Sequence, residues 1–142
     1  MIWKTPPTLE GMNAMGAGTL GDTLGMRFVE IGDDFLVAEM PVDARTVQPF
    51  RLLHGGASVA LAETLGSVAG YLVLDEPDTH IVVGVDINAS HLRSVAEGGT
   101  VRGTVRPVRV GKTVQVWQIE IRDERAKLVC VSRLTCQVVK RR

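Results

Sequence analysis

A chain of 142 residues, 45% of them hydrophobic and 23% charged, is long enough to bury one core and too apolar for the disordered class. Sixteen Lys and Arg balance sixteen Asp and Glu, which argues against a non-specific nucleic-acid binder or a polybasic membrane anchor. No internal repeat, polar tract or composition shift divides residues 1–142, so a single domain is expected.

The opening MIWKTPPTLEG has neither the apolar core of a secretory signal nor the Arg- and Ser-rich character of a transit peptide, and a cytoplasmic protein is expected. Thr8 to Met15 reads as a short helix opened by a Thr cap. The glycine-rich GAGTLG at 16–21 spells G-x-G-x-x-G, but a dinucleotide site needs a strand before it and a helix after it. Here a helix pattern precedes and a strand pattern follows, so a flexible turn is expected. Residues 26–31 and 35–41 read as two short strands joined by a hairpin at GDD.

An irregular connection, DARTVQPFRLLHGG, leads into the apolar stretch from Leu52 to Leu74. That stretch could span a bilayer, yet it contains His54, Glu63 and several glycines, and a central acid alone costs ~2.5–3.5 kcal/mol on insertion scales. A core helix beginning near Gly56 is the better reading, ended by EPD at 76–78. From Ile81 onward apolar and polar residues alternate through Val83, Val85 and Ile87, then Val101 to Val110, Trp117 to Ile121, and Leu128 to Cys136. This predicts four long strands in an antiparallel meander, with RVGK at 109–112 and DERAK at 123–127 as connections. Cys130 and Cys136 fall on the same face of one strand, too far apart for a disulfide and without zinc spacing, and read as buried thiols. Lys140, Arg141 and Arg142 read as a solvated tail.

The helix carries the chemistry. On one face, Ala57, Leu61, Leu65, Val68 and Leu72 form an apolar stripe suited to a sheet. Another face runs Gly56, Ala60, Glu63, Ser67 and Gly70, small residues around one acid. A solvent-facing stripe repeats Lys, Glu, Gln or Arg, and this one does not, so Glu63 is expected to line a cleft or an interface rather than a free surface. Small neighbours let a partner surface or a substrate approach it, with Ser67 one turn away. At the helix entrance, His54-Gly55-Gly56 leaves first-turn N–H groups sterically open, an environment for a developing negative oxygen. His54 alone reads more readily as a cap or a packed ring than as a catalytic group, and Gln48 alone as a loop residue. Together with Glu63 they describe an oxyanion site beside a general base or nucleophile.

The segments QPF, LHGGASVALAETLGSVAGY, VDINASHLRS, VWQIEIRDE and SRLT resemble the hotdog-fold acyl-CoA thioesterases of the aryl-CoA branch over nearly the whole chain. Within that branch the likeness is greatest to the dihydroxynaphthoyl-CoA thioesterases of menaquinone synthesis. A sibling group hydrolyses mischarged aryl carrier proteins. The resemblance implies an α+β fold, an antiparallel sheet of about six strands wrapped around one long helix. It implies Glu63 as nucleophile or general base, Gly55 N–H and His54 as polarisers of the thioester carbonyl, and Gln48 and Ser67 as positioning groups. It implies CoA contacts at Gly84, at His91, Leu92, Arg93 and Ser94, and at Arg109, Val110, Gly111, Lys112, Thr113 and Val114. Arg93, Arg109 and Lys112 suit phosphate chemically. The family's sites are shared between subunits, so a homodimer or homotetramer is implied, without metal or cofactor, membrane or nucleic acid. One departure is AEGGTV, a residue longer than the family pattern, expected between the third and fourth long strands.

The expected activity is hydrolysis of an aromatic acyl-CoA thioester, of dihydroxynaphthoyl or hydroxybenzoyl type, to free acid and CoA. The alternatives are a proofreading thioesterase acting on an acyl or aryl carrier protein, and a non-catalytic acyl-CoA-binding module. A hydratase of the same fold would place a His/Asp pair about the helix, and this helix holds no Asp.

Overall fold

The computed structural model describes residues 1–142. Thr8 opens helix α1 (Leu9–Met15), its hydroxyl accepting the N–H of Gly11 at 2.9 Å. The expected flexible turn is instead partly helical. Gly18 and Gly25, at φ +73° and +74°, supply a left-handed residue on either side of the one-turn helix α2 (Leu20–Thr23). Strands β1 (Arg27–Ile31) and β2 (Leu36–Pro41) pair as the expected hairpin. The long helix α3 (Gly55–Leu72) follows, then β3 (His80–His91), β4 (Thr100–Val110), β5 (Val114–Arg122) and β6 (Leu128–Lys140). The DERAK turn closes β5 onto β6, with Asp123 N–H donating to Lys127 O at 3.0 Å. No helix is long and apolar enough to cross a membrane.

All six strands pair antiparallel in the order β1-β2-β4-β5-β6-β3. The expected four-strand meander therefore holds only for β4, β5 and β6. Strand β3 is carried to the far edge, where it pairs with β6 from His80↔Lys140 to His91↔Cys130, and β4 pairs with β2. The connection from β3 to β4 does not turn back. It crosses the start of α3, tied there by Leu53 N–H to Val95 O, Glu97 N–H to Arg51 O and Gly98 N–H to Val42 O. AEGGTV lies in this crossing, between the first and second long strands rather than the third and fourth.

The core sits between α3 and the concave sheet face. Leu61, Leu65 and Leu72 pack with Trp117, Ile119, Ile121, Leu134, Val101 and Val105, all buried, and each large side chain contributes about 1.5–3 kcal/mol of transfer free energy. Val68, expected in this stripe, is only partly buried, and Ala69 takes the contact instead. The helix is rotated so that its small face opens outward. Its last turn is fixed by Gln115, whose Nε2 donates to Gly70 O at 3.2 Å while Trp117 Nε1 donates to Gln115 Oε1 at 3.0 Å. Those two bonds satisfy a buried amide and one of the helix's free C-terminal carbonyls.

Strand β3 departs from the expected alternation. A bulge between Gly84 and Asp86 changes which side chains face inward, so Val82, Ile87 and Ala89 pack on the core. Val83 and Val85 are left 38% and 56% exposed on the open edge of the sheet. Cys130 and Cys136 are buried free thiols on one face of β6, as the even spacing predicts.

Candidate active site

The entrance of α3 gathers the first set of polar groups. His54 is the N-cap, and its Nδ1 accepts the N–H of Gly56 at 2.7 Å. An acceptor at Nδ1 puts the proton of the neutral ring on Nε2, as a donor turned away from the cap. The expectation of two open glycine N–H groups is thus corrected: His54 takes that of Gly56, and that of Gly55 remains free. A Cβ at Gly55 would lie 2.9 Å from Nε2 of His91, so any side chain there would have to turn the His91 ring aside.

Gln48 approaches from the preceding loop. Arg51 adopts φ +61°, a left-handed turn held by its Nε–Glu97 bond at 2.9 Å and by its N–H on Gln48 O at 2.8 Å. Oε1 of Gln48 accepts the N–H of Phe50, which leaves its amide NH2 as the free donor. Gln48, Gly55 and the predicted run His91, Leu92, Arg93 and Ser94 line one groove of about 390 Å³. Ser58 lines it too, 1% exposed, its N–H donating to His54 O at 3.2 Å. Sequence reasoning missed Ser58, although a hydroxyl three residues beyond Gly55 shares its helix face.

Glu63 stands elsewhere. It lies in a second groove of about 460 Å³ whose other lining residues are Leu20, Gly56, Val59, Ala60, Thr64, Ser67 and Val68. Glu63 makes no ion pair and no hydrogen bond, and no other carboxylate or cation lines the groove. Ser67 shares it, as the i, i+4 spacing predicts, whereas Gly70 turns inward against Gln115. Gly84 of β3 sits directly behind the acid, where a Cβ would lie 2.7 Å from Glu63 Oε1. Its missing side chain is what admits the carboxylate, a role the resemblance did not suggest. Burial, and then the Glu63 charge, push the Cys136 thiol up to about 11.

Of the remaining candidates, three form another cluster near the far end of α3, while Arg109, Thr113 and Val114 flank it in sequence without lining it. Val110, Gly111 and Lys112 line a cleft of about 430 Å³ with Lys4, His80 and Gln115. The predicted constellation is therefore divided within one chain. Gly55 and Glu63 are eight residues apart on a continuous helix, about 12 Å along its axis. Contact with a reacting carbonyl requires about 3 Å from each.

Comparisons with known proteins identify the family. Residues 50–130 match the thioesterase superfamily. Over 139 residues the chain is 57% identical to the 1,4-dihydroxy-2-naphthoyl-CoA hydrolase of Escherichia coli K12, covering 98% of this chain and 100% of that one. It is 53% identical over 139 residues to the proofreading thioesterase EntH of Cronobacter turicensis, covering 98% and 99%. Among solved structures, a thioesterase from Haemophilus influenzae superimposes with a TM-score of 0.93 at 50% identity, covering 99% of this chain and 96% of that one. A mutant thioesterase from Pseudomonas aeruginosa gives 0.95 at 45% identity, covering 99% and 100%. With six antiparallel strands curled about α3 and a family match running from the QPF loop to β6, the chain belongs to the thioesterase superfamily and has its hotdog fold.

Proposed function

We propose that this thioesterase hydrolyses the CoA thioester of an aromatic acid, in a site assembled from the Glu63 groove of one chain and the helix entrance of a second. The observation that carries this reading is the placement of Glu63, an unpaired carboxylate in a groove of small residues with Gly84 cleared behind it. A carboxylate so placed attacks the thioester carbon, or takes a proton from the water that does. The carbonyl oxygen gains negative charge as the carbon becomes tetrahedral. Gly55 N–H, the Nε2–H of His54 and the free amide of Gln48 are the donors for it, and the helix dipole adds to them. Collapse expels the CoA thiolate, which takes up a proton; attack by water leaves the free acid directly, whereas attack by Glu63 leaves a mixed anhydride that a water then hydrolyses to the free acid and the regenerated carboxylate. Ser67, beside Glu63, would hold the hydrolytic water.

Shared assembly follows from the ~12 Å gap. Strand β3 is a 12-residue edge with exposed Val83 and Val85, and such an edge calls for a partner. An antiparallel two-fold pairing about Ile87 and Asn88 sets Gly84 opposite the partner's His91, and so brings Glu63 toward the partner's Gly55. The CoA chain would then run past His91 to Ser94 and the partner's Arg109 to Val114, with Arg93 and Lys112 as phosphate partners. A homodimer, or two such dimers as a tetramer, in the cytoplasm is the form this reading requires. Light scattering at micromolar concentration should show no stable monomer.

The 57% identity to a naphthoyl-CoA hydrolase and the 53% identity to a proofreading thioesterase both bear on the substrate. Thiol release from a panel of aryl-CoA, aliphatic acyl-CoA and acyl carrier protein thioesters decides between them. The expected result is a higher kcat/KM for aryl-CoA. Preference for long-chain fatty acyl-CoA would overturn the aromatic assignment, and preference for carrier-protein thioesters would establish the proofreading alternative.

A further inference from the structure

Expulsion of the thiolate makes a chemical demand that Glu63 does not meet alone. When a carboxylate attacks a thioester, the tetrahedral intermediate holds two leaving groups, one from a carboxylic acid of pKa about 4.3 and one from an alkyl thiol of pKa about 8.5. The less basic group departs more readily, so the intermediate returns to substrate unless a proton reaches the sulfur. The donor must lie beside the oxyanion site and lose a proton without becoming an anion. His54 fails this test. Its Nδ1 accepts the N–H of Gly56 at 2.7 Å, so the ring holds one proton, on Nε2, and loss of it would leave an imidazolate.

His91 meets it. The residue ends β3 opposite Cys130, a buried residue of the concave face, and its Nε2 stands 2.9 Å from the position that a Gly55 Cβ would take. Unlike the rings of His54 and His80, this ring makes no hydrogen bond, so both of its nitrogens are free to carry protons at once. It is exposed, and solvent can reload it between turnovers. Arg93 is the other charged residue lining its groove, and Arg93 is itself opposed by Asp123. In the two-fold pairing about Ile87 and Asn88, His91 faces the partner's Gly84, the residue behind the partner's Glu63. The ring therefore stands where the two halves of the site meet.

We propose that His91 is the general acid of the reaction, giving its Nε2 proton to the CoA sulfur as the C–S bond breaks. The bonding pair goes to sulfur, the proton joins it, CoA leaves as the thiol, and the neutral ring takes a new proton from water. The assignment rests on the thioesterase reading and adds a catalytic role to the CoA contact expected at His91.

His91→Gln keeps a polar side chain and removes the transferable proton. Full-length wild type and variant are assayed with benzoyl-CoA and with S-(4-nitrophenyl) thiobenzoate, which carries the same acyl group on a thiol acidic enough to leave unprotonated. The variant's kcat for benzoyl-CoA should fall by about 10²-fold, while its kcat/KM for the nitrophenyl thioester should stay within about twofold of wild type. Equal losses on both substrates would make the ring a shaping element, and a change confined to KM for benzoyl-CoA would make it a CoA contact alone. Either result would overturn the assignment. So would an unchanged kcat for benzoyl-CoA, with Glu63 then returning the proton it took from water. Circular dichroism on the same samples reports the fold, and His91→Asn repeats the comparison with a shorter side chain. Failure of the wild type to cleave either substrate would overturn the thioesterase reading and the role of His91 with it.

Discussion

The two ends of the proposed site differ in how much of their hydrogen bonding is already made. At the entrance of α3, His54 caps Gly56, Gln48 binds its own loop, Arg51 is locked on Glu97, and only selected donors remain free. In the middle of α3, Glu63 touches Gly84 and sits near Ser67 with no bond to either. The first region is pre-organised, so its donors need not rearrange as charge develops on an oxygen. The second is kept uncommitted, so its carboxylate remains free to attack or to accept a proton. One helix supplies both, but about 12 Å apart, and the separation turns a single element into two halves of different sites.

The largest effect should come from the uncommitted half. Glu63→Gln keeps the volume and removes the base, and turnover should fall by about two to four powers of ten. Thermal stability should hold or rise, because an unpaired, partly desolvated carboxylate is removed. Single-turnover hydrolysis and thermal denaturation on one preparation separate this from a structural acid, whose loss would lower Tm and spare turnover. The entrance is tested by Gly55→Pro. Proline is favoured at the first helical position, and His54 at φ −70° and ψ +130° already has the backbone that precedes proline. The added Cβ would turn the His91 ring aside, so the variant should fold with that ring displaced and lose the free N–H, with kcat reduced by about 10²–10³. Full activity in a folded Gly55→Pro enzyme would remove this N–H from the oxyanion site.

Smaller changes sharpen the contrast. Gly84→Ala places a methyl group 2.7 Å from the resting Oε1 of Glu63, and such a displacement should lower kcat by up to about 10². Circular dichroism should show an unchanged fold. The smallest effect is spectroscopic. Because Glu63 contributes to the elevation of the Cys136 pKa to about 11, Glu63→Gln should move that pKa down, by less than burial moves it up. The sign for the wild type is that its folded-state pKa lies above the ordinary thiol value of 9.0. The stability tied to this group is then complete below pH 9 and lost as pH rises toward 11. Ultraviolet titration of the thiolate in the two proteins measures the difference.

Much of this was legible in the sequence for definable reasons. Glu63 stood out because it is the one charge in an otherwise apolar helix, and the strands stood out because alternation marks two-sided environments. The DERAK hairpin was readable because a short polar turn fixes its neighbours. What alternation cannot encode is which strand lies beside which. The move of β3 to the far edge depends on the crossing segment from Leu92 to Gly99 and its bonds to the loop before α3. The same limit hid the role of Gly84, which faces Glu63 only because a bulge at Val85 and the rotation of α3 bring them together. Ser58 was missed for a different reason: a serine in a run of alanines, valines and leucines reads as filler until its groove exists. The split between Gly55 and Glu63, in contrast, was present in the spacing itself, since eight helical residues fix a distance.

Mixed assemblies test the shared site most directly. Glu63→Gln and Gly55→Pro chains, each nearly inactive alone, are co-expressed with different tags, and the hetero-assembled fraction is assayed with an aryl-CoA thioester. If Glu63 of one chain works with the partner's Gly55, each mixed dimer contains one intact and one doubly altered site, and the hetero-assembled fraction should recover about half of wild-type activity. If both groups act within one chain, every site in every assembly carries a lesion, and the mixture should stay as inactive as its parents.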